Sequence, residues 1–256
     1  MLSGMSETNQ PKRHFSFEGY ADFLHRLRSR GYCLVGFEDT TAAPQTVIIR
    51  HDVDFDLAQA ARMAALESAL GISSTYFFLL RTEMYNVLSE AGTAAVRSIL
   101  AYGHQIGLHF DARAYDSLSV SALREAVHSE MNILRNWFEL ELKYLSFHRP
   151  APALLSDSNG AITAPYSHAY QTCYSKDRAY FSDSQGSWRY GHPLEADAFK
   201  EGRALQILIH PIWWDGNASP FETLERFVES HADKIGLETA KNCVVYRRGK
   251  YANAGG

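Results

Sequence analysis

The 256-residue sequence holds three cysteines, Cys33, Cys173 and Cys243, set far apart. An odd number without Cys-x-x-Cys spacing excludes both a disulfide framework and a cysteine zinc site, and fits incidental thiols in a reducing compartment. Positive charge is equally sparse in clusters. No lysine/arginine run exceeds Lys12-Arg13-His14 and the formal net charge is −4. Nucleic acid is therefore excluded as a partner, since phosphate binding needs a basic patch. No apolar stretch approaches the about 20 residues that span a bilayer, and the polar opening MLSGMSETNQPKRH lacks the apolar core of a secretion signal. These absences point to a cytoplasmic protein without a membrane partner. What is present, 46% hydrophobic residues with no biased tract, suits one globular domain.

Residues 1–14 read as a flexible tail and 248–256 as another, leaving 15–247 as a single domain. Phe17, Tyr20, Phe23, Leu24 and Leu27 form one stripe of an amphipathic helix over 15–30, stopped by Gly31. From there short apolar strands alternate with helices. Strands are expected near 32–37, 46–53, 74–80, 105–110, 143–147, 205–209 and 242–247. Helices are expected near 57–70, 93–102, 120–138 and 220–232. Such alternation indicates a parallel sheet covered by helices, an α/β domain, and about seven βα units close more naturally into a barrel than an open sheet. The stretch 155–190 is rich in Ser, Asp, Gly and Tyr and reads as a long loop with one short strand near 178–182.

The chemistry gathers at strand ends. In the run Arg50-His51-Asp52-Val53-Asp54, Asp52 and Asp54 share one face of a strand, roughly 6–7 Å apart at Cα. Paired carboxylates repel unless a cation, an arginine or a raised pKa relieves them. That suits a metal ligand beside a general base; equally, Asp54 and Asp56, which both precede the helix near Leu57, can be a pair of helix caps. His51 faces the other way and reads as packing. His109 and Asp111 end another strand in the same i, i+2 relation and are typical divalent-metal ligands, whereas His104 at that strand's start reads as structural. In His148-Arg149-Pro150, Arg149 can hold a carboxylate such as Asp52, and His148 is either a core residue or a further ligand. His210 ends a later strand and can act as a general acid. Trp213 and Trp214 after it either wall a sugar site or fill the core. Asp183 and Trp188 end the short strand, where Asp183 can orient Arg149 or His210. Asp52, Asp54, His109, Asp111, Arg149, Asp183 and His210 all fall at C-terminal strand ends, where α/β barrels hold their ligands.

At these residues the sequence resembles the polysaccharide deacetylases of the NodB type, carbohydrate esterase family four, and looks most like the WbmS-like subgroup. The resemblance covers roughly residues 15–247 and takes in five motifs in order. They are Asp52-Val53-Asp54, Gly103 to His109, His148-Arg149-Pro150, Asp183 to Trp188, and Leu208-Ile209-His210. It implies a distorted (β/α) barrel with fewer than eight units, and a divalent metal, zinc by preference. It also implies a glycan or small-molecule substrate carrying an N-acyl amino sugar. Asp52 would be the base, oriented by Arg149. Asp54 and His109 would bind metal, His210 would be the acid tuned by Asp183, and Trp188, Trp213 and Trp214 would meet substrate. Two departures stand out. A valine separates the aspartates, which are usually adjacent, and Arg113 occupies the place of the family's second metal histidine. The third ligand is accordingly assigned to Asp111 first and His148 second. Hydrolysis of a non-sugar amide, and a metal-free glycan-binding barrel, are the rival readings.

Overall fold

The computed structural model describes residues 15–115, 119–150, 152–216, 218–247 and 251. Both expected tails, Tyr251 aside, lie outside these. The first helix, α1 (Phe17–Ser29), starts where the Ser16 side chain accepts the Gly19 N–H, and it buries Tyr20, Phe23, Leu24 and Leu27. A short strand β1 (Cys33–Val35) leads to β2 (Thr46–Val53), every residue of which is buried. Then follow α2 (Leu57–Ala69), β3 (Thr75–Phe78), α3 (Glu90–Ala101), β4 (Gln105–Phe110), α4 (Val120–Phe138) and β5 (Tyr144–Phe147). After these come α5 (Pro152–Ser156), β6 (Ser167–His168), α6 (Thr172–Ser175), β7 (Ala179–Ser182), α7 (Asp197–Lys200), β8 (Leu205–Ile209) and α8 (Pro220–Asn242).

All strand pairs are parallel, in the order β6-β5-β4-β3-β2-β8-β7, with β1 also on β2. β2 is the hub. It pairs with β8 over 47–51, while β1 takes residues 46–48 and β3 takes 50–53. The sheet curls into a distorted (β/α) barrel. The period of two along each strand then sorts side chains cleanly. Val47, Ile49 and Val53 pack outward against the helices, whereas Ile48 joins Phe37, Phe77, Ala169 and Tyr174 in a separate inner cluster. Gly107 on β4 is needed for that filling. A Cβ there would stand 2.6 Å from the Phe77 ring and 2.5 Å from the Tyr144 carbonyl oxygen.

Outside the barrel, Glu67 of α2 is fully buried and gathers four polar neighbours. It accepts from the hydroxyls of Tyr20 (2.5 Å), Ser74 (2.6 Å) and Tyr76 (2.8 Å), and lies 2.8 Å from His51 Nε2. Burial raises its pKa, but His51 and His104 beside it reverse the effect and bring it down to about 2. This network joins α1 and α2 to β2 and β3, and it accounts for His51 as a packing residue. His104 is likewise structural, with Nε2 2.9 Å from the Ala64 carbonyl.

Two expectations about elements fail. The stretch 155–190 holds its expected strand, β7, but is otherwise no single loop, because it also carries β6 and α6. The last strand, placed at 242–247, is absent. Helix α8 runs on to Asn242 and ends in a 3-10 turn at Val244–Tyr246, with Val244 and Val245 exposed. Valines favour strands only where a sheet edge is there to pack them. Asp233 to Asn242 carries enough helix formers to extend the helix instead.

Candidate metal and catalytic site

The inner faces of β2, β4 and β5 converge at their C-terminal ends. Asp54 follows β2, His109 lies in β4 and His148 follows β5. Asp54 Oδ1 stands 3.1 Å from His109 Nε2 and 3.1 Å from His148 Nδ1. The three residues form a group able to hold a metal ion. A tetrahedral ion with bonds of about 2.0–2.1 Å separates its donors by roughly 3.3 Å, close to these spacings. The buried Asp54 Oδ1 has no hydrogen-bond partner despite its two imidazole neighbours. An oxygen left without a hydrogen bond beside two imidazole nitrogens is free to meet a cation there. Burial raises the Asp54 pKa, yet His109, His148 and His210 outweigh it and hold the carboxyl far below the usual range. Of the two candidate helix caps it is Asp56, not Asp54, that caps α2, accepting from the N–H groups of Ala58 and Gln59.

Asp52 lies one layer deeper. Its Oδ2 is 3.3 Å from Arg50 Nη2 and 3.8 Å from His109 Nε2, and its Oδ1 accepts from Ser146 Oγ at 2.9 Å. Arg50 is fully buried in the barrel interior, over the rings of Tyr170 and Tyr180. Burial opposes its charge, but Asp52 and the two tyrosines overcome this and raise its pKa.

On the opposite side, His210 Nε2 is 3.8 Å from Asp54 Oδ2, while its Nδ1 is 2.6 Å from Asp183 Oδ1. Asp183 is fully buried and also accepts from the His210 backbone N–H and from Trp214 Nε1 at 2.8 Å. Burial would lower the His210 pKa; Asp183 and, behind it, Asp54 and Asp52 push it up to about 9.

Three assignments change on the structure. Asp111 stays out of the ligand group. One of its oxygens pairs with the Arg149 guanidinium and the other accepts the Arg113 N–H. Arg149 thus serves Asp111, not Asp52, whose guanidinium partner is Arg50. The tryptophans do not face the metal-ligating group as a wall. Trp213 packs against Phe55, and Trp188 packs among Phe15, Phe23 and His192 beside a separate cavity of about 560 Å³. Trp214 is buried and its Nε1–H donates to Asp183 behind His210. The cleft over the ligand group, about 590 Å³, is lined by Asp54, His148, Arg149 and Asp111, with Phe55, Leu79, Leu80 and Met84 as its apolar wall. Two site residues escaped the sequence reading, Arg50 and Ser146. The signal was alternation itself, since Arg50, Asp52 and Asp54 share a face, as do Ser146 and His148.

No family model and no curated protein matches the chain. Among solved structures it is similar to the deacetylase PplD of Streptococcus pyogenes in complex with acetate. The identity is 14%, with 89% of this chain and 93% of that chain covered, and the TM-score is 0.47. It is also similar to the chitin deacetylase of the fungus Colletotrichum lindemuthianum (15% identity, 73% and 82% covered, TM-score 0.45). A third is the CE4 family pseudoenzyme BA3943 of Bacillus anthracis (10% identity, 85% and 78% covered, TM-score 0.43).

Proposed function

We propose that the chain is a metal-dependent amide hydrolase that removes an N-acyl group, acetyl or formyl, from an amino sugar or surface-polysaccharide precursor. The observation that carries this reading is the convergence, at one end of the barrel, of three metal-ligand side chains between an arginine-held carboxylate and a carboxylate-held histidine. Asp54, His109 and His148 would hold the divalent ion, zinc by the preference of two imidazoles and one carboxylate. Bound there, such an ion lowers the pKa of water and polarises an amide carbonyl. The rest falls to the protein. Asp52, fixed by Arg50 and Ser146, takes the proton of the attacking water. His210 holds a proton at neutral pH because of Asp183, and its Nε2–H faces the site, ready for the departing amine. Phe55, Leu79, Leu80 and Met84 offer the acyl group an apolar wall. With His148 supplying the third ligand, Arg113 at the expected ligand position removes nothing from the group, and its side chain is exposed. That favours a hydrolase over a metal-free glycan-binding barrel.

The test combines metal analysis of tag-free protein with amine release from N-acetyl and N-formyl amino sugars and from linear and cyclic amides. A stoichiometric divalent ion, lost in His109→Ala, with turnover of the sugars and none in Asp52→Asn, is the expected result. Persistent absence of metal, or full activity of Asp52→Asn, overturns the mechanism. Preference for the simple amides overturns the substrate class alone.

A further inference from the structure

Ser146 stands directly across from His109 in the β4–β5 register. Its hydroxyl oxygen is 2.9 Å from Asp52 Oδ1 and 2.6 Å from His109 Nδ1. Ser146, His109 and Asp52 are 0%, 1% and 2% exposed, so water does not resolve how the three share protons. A serine hydroxyl has one proton to give, and an ionised carboxylate can only accept. If Ser146 gave its proton to His109 Nδ1, two oxygens would face each other at 2.9 Å with no hydrogen between them, in a buried site where an unmet acceptor is costly. Given to Asp52, the proton leaves the Ser146 oxygen free to accept, and the 2.6 Å contact becomes Nδ1–H donating to Oγ. The far side of the ring agrees. His109 Nε2 lies 3.1 Å from Asp54 Oδ1, yet that oxygen has no hydrogen-bond partner, so an Nε2–H would be poorly aimed.

We propose that Ser146 is a positioning residue that fixes the proton of the neutral His109 ring on Nδ1 and leaves Nε2 as the donor atom for a metal ion. The order is a directed chain, His109 Nδ1–H to Ser146 Oγ and Ser146 Oγ–H to Asp52 Oδ1. It makes the nitrogen that faces Asp54 dependent on the negative charge of Asp52, two strands away from β4. The inference rests on reading Asp54, His109 and His148 as a metal site. It also has a consequence for Asp52→Asn. Arg50 requires an acceptor on its side, which turns the new amide N–H group toward Ser146. Ser146 must then donate to Nδ1, and the ring proton moves to Nε2, where it blocks the metal.

Two measurements test this. Long-range 1H–15N NMR of metal-free protein, at a pH where the His109 ring is neutral, reports which nitrogen carries its proton. Chelator competition with zinc alone reports affinity in the wild type, Ser146→Ala and Asp52→Asn. The proton is expected on Nδ1 in the wild type and on Nε2 in Asp52→Asn. Zinc binding should weaken about 10- to 100-fold in Ser146→Ala, as for other partners of metal-ligating histidines. A wild-type proton on Nε2, or zinc affinity within about twofold of wild type in Ser146→Ala, overturns the proposal. Protein that takes up no zinc but carries the proton on Nδ1 would support the Ser146 assignment while removing the metal reading.

Discussion

Asp183→Asn isolates the electrostatic part of the site most sharply. The rise of His210 from 6.5 to about 9 corresponds to roughly 3 kcal/mol in favour of the imidazolium, and Asp183 is its leading attractive cause. Asparagine keeps the shape but removes the charge and one acceptor. Its single oxygen cannot serve both His210 Nδ1 and Trp214 Nε1, which now use different carboxylate oxygens. His210 should therefore titrate back toward 6.5. At pH 7.5 the protonated fraction would fall from nearly all to about a tenth. The assay is an NMR titration of the His210 ring in metal-free protein, followed by the alkaline limb of turnover. Activity of the variant should drop about tenfold at pH 7.5 and recover substantially near pH 6. Stability follows the same sign. A histidine whose pKa is raised by folding stabilises the fold fully below about 6.5, and that contribution fades as pH rises through about 9. Wild type should lose this component between about pH 6.5 and 9, and Asp183→Asn should lack it. A His210 ring that still titrates near 9 without the Asp183 charge would refute the reasoning.

Replacing His148 with Ala should abolish stoichiometric zinc binding while Asp111→Ala retains it; the reverse pattern in metal analysis would restore Asp111 as the third ligand. Arg50→Met should cost about 3–5 kcal/mol in urea denaturation by leaving Asp52 buried without its cation. Adding Asp52→Asn should recover most of that loss, and a single-variant cost below about 1 kcal/mol would count against the buried pair. Burial raises the Glu130 pKa to about 7, and the Tyr115 hydroxyl donates to its carboxylate. The wild type should thus lose stability between about pH 4.5 and 7 as the carboxyl ionises, and Glu130→Gln should flatten that decline in thermal melts. An unchanged pH profile in Glu130→Gln would refute it.

Much of this was legible from spacing. The alternating pattern located β2, β4 and β8 with their functional ends, because strands buried on both sides carry long apolar runs that stop where the chemistry starts. The same alternation separated His51 from Asp52 and Asp54. Pairing between strands was harder to read. Arg50 lies two residues from Asp52, but Arg149 is 38 residues from Asp111, and only the register of β4 against β5 sets them side by side. His148 lacked a local spacing to His109, since its partnership is made across two strands and not along one turn. Ser146 carries no motif at all. Its role depends on two atoms, 2.9 and 2.6 Å away, that lie far off in the chain. The missing C-terminal strand shows the converse, where valines promised a strand but no sheet edge received them.

The ligand group also has a mechanical meaning. Asp54, His109 and His148 belong to three segments of the barrel, with α2, β3 and α3 between the first two and α4 between the second and third. An ion gripping all three would act as a clasp across two long excursions of the chain. It would shrink the freedom of the unfolded state as well as favour the folded one. Strand β5 has only four residues and its outer neighbour β6 only two, so this flank of the barrel has little backbone pairing of its own. Loading with zinc should slow amide hydrogen exchange there more than in β2 or β8, tying the integrity of one wall to the occupancy of the ligand group.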